Sequence, residues 1–244
     1  MSEAHESSER PQKRYFVGIT GASGVVYGVR LAQALAELGH RVDVSISDAG
    51  ERVLAIEHDL RRPAGASDAR WIVGSEAAPR VRLLDNRSIE AGPASGTYPL
   101  AAAAICPCSM GTLGRIASGY SSCLIERVAD VQLKEGRSLV LVPRETPLSR
   151  IHLDHLNRLA WAGATIAPAM PAFYTRPRSI EELIDHLVAK VMDAMGVPHE
   201  LVRRWGMPKS EHHGRRPPNL PTDPGPRPDL EPEDRHDLGE GCDA

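Results

Sequence analysis

No stretch of the 244-residue sequence is apolar for long enough to cross a membrane. The opening MSEAHESSERPQKR also lacks the apolar core a secretory signal needs. Neither sign of charge dominates: 29 Lys and Arg face 32 Asp and Glu, for a net charge of −3. That balance argues against a nucleic-acid surface or a membrane-attracted basic face. Cysteine is sparse, and Cys106, Cys108, Cys123 and Cys242 lack the spacing of a disulfide framework or a zinc ribbon. Cys106 and Cys108, one residue apart on a strand, are expected on opposite faces, unable to share a metal. His152 and His155 stand a helical turn apart without an HExxH context or a third ligand. His212-His213 falls in the polar C-terminal segment. No metal is expected, and the reducing cytoplasm is the expected location.

The remaining composition, 41% hydrophobic and 25% charged, is that of a globular domain. It changes near Gly206: residues 206–244 hold eight prolines, nine acidic and five basic residues. Such a segment cannot bury enough surface to offset its ordering entropy. Residues 1–13 and 206–244 are therefore expected to be disordered extensions of a folded unit at 14–205. Within that unit, apolar runs at Tyr15–Thr20, Arg41–Ser47, Ala101–Cys106, Ser138–Val142 and Thr165–Met170 read as strands. Helical periods cover Val25–Leu38, Asp48–His58, 109–118, 124–135, Arg150–Ala162 and Ile180–Met195, the last opened by a capping box of Ser179 and Glu182. Residues 61–90 carry too little pattern to assign. Alternating strands and helices, with strands apolar on both faces, predict an α/β fold with a parallel sheet covered by helices.

Ligands of such sheets bind outside the carboxyl ends of the strands. Those ends here read Thr20-Gly21-Ala22-Ser23-Gly24, Ser47-Asp48, Cys106 through Thr112, Pro143-Arg144-Glu145, and the run from Pro168 to Tyr174. The GASG turn enters a helix directly, where free N–H groups favour an anion, although Ser23 could equally be a simple cap. It is neither a dinucleotide fingerprint nor a Walker loop. Ser109, Met110, Gly111 and Thr112 repeat the glycine-hydroxyl theme on another strand, and the two turns together favour a mononucleotide such as FMN. Arg144-Glu145 pairs a phosphate-binding group with a carboxylate able to move protons. By pattern alone, Glu57, Lys134 and Lys190 are ordinary charges on amphipathic helices.

The segments GITGASGVVYGVRL, ISDAGERVLAIE, ASG at 94–96, CPCSMGTLGRIASG, LIERVADVQLKE, LVLVPRETPLSRIHL and APAMPAFYTRP closely resemble the UbiX-type flavin prenyltransferases, across Tyr15 to Trp205. The resemblance implies a three-layer Rossmann-like, flavodoxin-like sandwich. It implies reduced FMN held by Gly21, Ala22, Ser23, Ser47, Ser109 to Thr112 and Arg144. Dimethylallyl phosphate would be held by Ser95, Gly96, Lys134, Arg144, Tyr174 and Lys190, with Trp205 close by. Ser23, Glu57, Lys134, Arg144 and Glu145 would serve catalysis. It further implies a homo-oligomer, a dodecamer with sites shared between subunits, delivering prenylated FMN to a UbiD-type decarboxylase. Three features depart from the family pattern: Lys190 replaces an Arg, Gly136-Arg137 replaces two arginines, and the tail is long. The alternatives are a flavin-dependent decarboxylase of the cysteine-decarboxylase type, which would carry a PASANT-like segment where this chain has PCSMGT, or a non-catalytic flavin carrier.

Overall fold

The computed structural model describes residues 11–66 and 68–202. The expectations for residues 1–10 and for the C-terminal tail, with Trp205, lie outside these. Strands β1 (Arg14–Ile19), β2 (Arg41–Ile46), β3 (Val81–Asp85), β4 (Ala102–Cys108), β5 (Ser138–Pro143) and β6 (Thr165–Ile166) form one parallel sheet in the order β3-β2-β1-β4-β5-β6. Helices α1 (Val25–Glu37), α2 (Asp48–His58), α3 (Arg70–Ala77), α4 (Met110–Ala117), α5 (Leu124–Lys134) and α6 (Arg150–Trp161) lie in the connections, and α7 (Ile180–Ala194) follows the last strand. The α/β sandwich expected from the alternation is therefore present.

Its two cores lie on opposite faces of the sheet. Side chains of α1, α3 and α7 pack with Tyr15, Val17 and Ile19 on one face. Those of α4, α5 and α6 pack with Phe16, Ala103 and Ile105 on the other. Helix α1 lies close against β4 because Gly28 has no side chain: a Cβ there would sit 2.0 Å from the carbonyl oxygen of Cys106.

Several details differ from the sequence reading. Residues 61–90 hold α3, a 3-10 turn and the edge strand β3, of which only Val81 is buried, so no periodicity betrays it. Strand β6 stops at Ile166 rather than Met170, because Pro168 and Pro171 cannot donate to a ladder. The chain still runs beside β5, with Ala167 N–H on Leu141 O (2.8 Å) and Ala169 N–H on Pro143 O (3.0 Å). At Ser179 only half the capping box forms, since the Glu182 carboxylate accepts from Arg178 N–H (2.8 Å) and not from the cap residue. A complete box opens α6 instead, built from Ser149 and His152.

Cys106 and Cys108 do belong to opposite cores. Regular alternation would have put residues i and i+2 on the same face. The register shift between Ile105 and Cys108 separates them.

Candidate functional site

The strand order reverses between β2-β1 and β1-β4, and a cleft opens above that switch point, at the carboxyl ends of β1, β2 and β4. It encloses about 540 Å³. Two helix starts point their N-termini at it. Ser47 caps α2 by accepting from Gly50 N–H (3.0 Å), and Ser109 caps α4 by accepting from Thr112 N–H (3.3 Å). Thr20 joins the walls: its hydroxyl donates to Pro107 O (2.9 Å) and accepts from Ser109 N–H (2.7 Å). Gly21 is required on this wall, because a Cβ would lie 2.4 Å from that of Ala49.

The far wall was not legible in the sequence. Asn86, at the end of β3, caps α5 from outside the helix, its carbonyl taking Leu124 N–H (2.8 Å) and its Oδ1 taking Ile125 N–H (3.1 Å). Arg115 lines the cleft and is ion-paired through Nε to Glu126. The Glu126 side chain is 1% exposed and also accepts from Ser122 N–H (2.8 Å) and Ser122 Oγ–H (2.9 Å). Burial alone would raise its pKa, but the hydrogen bonds from Arg115 and Ser122 more than offset this and hold the carboxyl below its ordinary value. No short motif could reveal this pair, since its members lie eleven positions apart and on different helices.

The glycine-rich turn behaves differently from its expectation. The N–H groups of Gly24 and Val25 at the start of α1 are already occupied by a protein anion, the Glu57 carboxylate (3.0 and 3.3 Å). Gly24 itself is the N-cap, in the left-handed region at φ 94°, so Ser23 does not cap the helix. The Ser23 hydroxyl and the Arg144 guanidinium make no hydrogen bond or ion pair among the described residues. Glu145 is exposed, with Oε1 accepting from Thr146 N–H (3.0 Å). Met110 and Gly111 line an adjoining, more apolar hollow of about 600 Å³ with Ile151 and His155.

One copy of the chain does not bring all the expected groups together. Ser95 and Gly96 precede β4, and Lys134 precedes β5, so all three lie at the amino ends of the strands. There Lys134 pairs with Glu135 over Gly96, and Arg137 holds the carbonyls of Gly96 (2.5 Å) and Tyr98 (3.0 Å). Five residue steps of β5 put roughly 17 Å of strand between this edge and Arg144. Tyr174 follows β6 and meets buried His186 of α7, Oη to Nε2, at 3.0 Å. Lys190, one turn further along α7, is exposed, and its Nζ lies 4.0 Å from Asp193. Among the described residues, no group of three or more His, Cys, Asp or Glu side chains is arranged to hold a metal ion.

A protein-family model described as "Flavoprotein" matches residues 3–199. Flavin prenyltransferase UbiX of Halalkalibacterium halodurans is 46% identical over 202 residues, covering 81% of this chain and 96% of that protein. The chain belongs to the UbiX flavin prenyltransferase family. Two solved members of similar shape share more than the fold. AnUbiX (PadA1), crystallised with FMN and dimethylallyl pyrophosphate, matches with a TM-score of 0.73 and 35% identity, over 82% of this chain and all of that one. The dodecameric FMN-dependent Ubix-like decarboxylase of Escherichia coli O157:H7 matches at 0.71 and 37%, over 79% of this chain and 98% of that one. Family membership agrees with the resemblance carried by the sequence motifs.

Proposed function

We propose that this protein joins the dimethylallyl group of dimethylallyl phosphate to reduced FMN, first at N5 and then at C6, within a homo-oligomer. The observation that carries this reading is the cleft at the switch point, with two serine-capped helix starts and Arg115, in a chain 46% identical to a flavin prenyltransferase. These groups fit a mononucleotide: the N-termini of α2 and α4 and the Arg115 guanidinium are suited to its phosphate. Gly21, Ala22, Ser23, Ser47, Ser109 to Thr112 and Arg144 are the residues that would hold FMN. When bound and reduced, FMN supplies the nucleophilic nitrogen and carbon that take the prenyl group.

The protein's own part is to hold and neutralise the departing phosphate and to move protons. Lys134, Arg144 and Lys190 bring positive charge for the phosphate, Tyr174 a hydroxyl, and the Ser95-Gly96 turn further donors. Glu145, next to Arg144 in sequence, would carry a proton from the flavin to the leaving phosphate. Ser23 belongs to the turn that would meet the ring, and Glu57 binds that turn at Gly24.

Because Lys134 and the Ser95-Gly96 turn lie at the edge opposite the cleft, a neighbouring copy must supply them. That requirement favours a closed assembly such as a dodecamer. The prenylated product would pass to a UbiD-type decarboxylase, and the use of a reduced flavin favours the cytoplasm. Purified protein incubated with reduced FMN and each prenyl donor, the mono- and the diphosphate, tests the reaction by mass spectrometry. A pentenyl addition to FMN is expected; unchanged FMN would leave only a flavin carrier. Sharing of the site is tested by co-assembling Lys134→Ala with Arg144→Ala subunits. Each is expected to be inactive alone, and the mixture to recover activity.

A further inference from the structure

We propose that the amino-end edge of the sheet carries a second anion site, suited to a diphosphate-bearing ligand and separate from the flavin cleft. A hollow of about 380 Å³ lies at the starts of β1, β2 and β3. Arg14, Arg41, Arg80 and Arg82 line it, and among the described residues Asp43 is the only carboxylate in its lining. The formal charge of the lining is thus four positive and one negative, or +3.

That carboxylate is already occupied. The Asp43 side chain is 1% exposed; its Oδ1 accepts from Arg82 Nε (2.9 Å) and its Oδ2 from the Tyr98 hydroxyl (2.7 Å). Tyr98 Oη in turn accepts from Arg14 (2.7 Å) and Arg82 (2.7 Å), so two of the guanidiniums are fixed in place by a buried acid and a phenol. Among the described residues, neither of the other two is ion-paired with an acid. Arg41 Nε is bound by the neutral amide of Gln12 (3.1 Å), and Arg80 makes no hydrogen bond or ion pair among the described residues. An adjoining hollow that Arg80 also borders contains Glu37 and Glu200, but Glu37 is bound by Arg30 (3.0 Å).

Fixed guanidiniums beside solvent-facing ones form a surplus of planar, forked donors, the group best matched to phosphate oxygens. A diphosphate carries about the charge the lining lacks. The net charge of −3 for the whole chain conceals this concentration, because Arg14, Arg41, Arg80 and Arg82 are scattered in sequence and gathered only by the parallel register of three strands.

The test is calorimetric titration of inorganic diphosphate into the assembled, FMN-saturated protein. We expect binding that the double variant Arg41→Gln/Arg80→Gln weakens at least about tenfold, since each loses a charged hydrogen-bond donor. Both residues are exposed and, among the described residues, hold no carboxylate, so FMN affinity and prenyl transfer are expected to stay at wild-type values. The site is refuted if the double variant binds diphosphate as tightly as wild type, or if no heat is seen at millimolar diphosphate. It is also refuted if Lys134→Ala, rather than the double variant, removes the binding, because the probe would then occupy the prenyl-phosphate position. Loss of FMN binding in either protein would bear on the flavin reading and is measured separately by flavin fluorescence.

Discussion

The Arg115–Glu126 pair has an asymmetry that can be measured. Glu126 is 1% exposed and Arg115 47%, so removing one partner is not equivalent to removing the other. Glu126→Gln leaves a guanidinium that water can reach, and the amide oxygen can still accept from Ser122. The loss is one charge-assisted hydrogen bond, about 2 kcal/mol, already discounted for that exposure. Arg115→Gln instead leaves a carboxylate buried with only the two Ser122 donors, which costs about 3–5 kcal/mol. In urea, with a slope of about 2–3 kcal/mol/M for a domain of this size, the midpoints should fall by roughly 1 M and 1.5 M respectively. Tryptophan fluorescence at fixed protein concentration reports both transitions, and both variants should bind FMN more weakly because Arg115 lines the cleft. The gap between them should depend on pH. The folded Glu126 carboxyl lies below its ordinary 4.5, so its contribution is complete above that value and fades as pH falls through the folded value. Below that, Glu126 takes a proton on its own and Arg115→Gln should cost no more than Glu126→Gln. Equal midpoints at pH 7, or a gap that persists in acid, would refute the reasoning.

Glu145→Gln should fold and bind FMN normally yet lose on the order of 10²–10⁴ in kcat at saturating donor, and wild-type turnover would remove Glu145 from the proton path. Gly28→Ala drives a methyl group to 2.0 Å from the Cys106 carbonyl, so it should cost about 3 kcal/mol or more, seen as a Tm lower by roughly 6–12 °C or as insoluble protein. Arg137→Lys keeps the charge but cannot hold the carbonyls of Gly96 and Tyr98 together; KM for the prenyl phosphate should rise while kcat holds, and a fall in kcat alone would contradict this positioning role. Exhaustive chelation should leave prenyl transfer intact, since Lys134, Arg144 and Lys190 are proposed to neutralise the leaving phosphate; activity lost to chelator and restored by one divalent ion would show otherwise.

What the sequence disclosed follows from where each residue is buried. Strands β1, β2, β4 and β5 are buried along most of their length, so they stand out as apolar runs. The edge strand β3 is half exposed and has no such signature. The glycine-hydroxyl turns were legible because the residues that cap a helix start are local to it. Groups in and beside the cleft meet from far along the chain: Asn86 reaches Ile125 from 39 positions away, and Glu57 reaches Gly24, next to the cleft's Gly21 wall, from 33. No periodicity reports such pairs.

The division of the expected site residues between two edges was nonetheless implicit in the strand reading. In a parallel sheet every residue just before a strand lies at the amino edge, and every residue just after one lies at the carboxyl edge. Lys134 ends the helix that leads into β5, and Ser95-Gly96 leads into β4, whereas Ser47, Ser109 and Arg144 each follow a strand. Motif matching joins these residues into one set, but topology forbids one subunit from doing so. Under the proposed function, then, Lys134→Ala removes a group from the neighbour's reaction, while Arg144→Ala disables the subunit's own. In a mixed assembly the two lesions fall on different sites, so recovery of activity there measures chain topology as directly as chemistry.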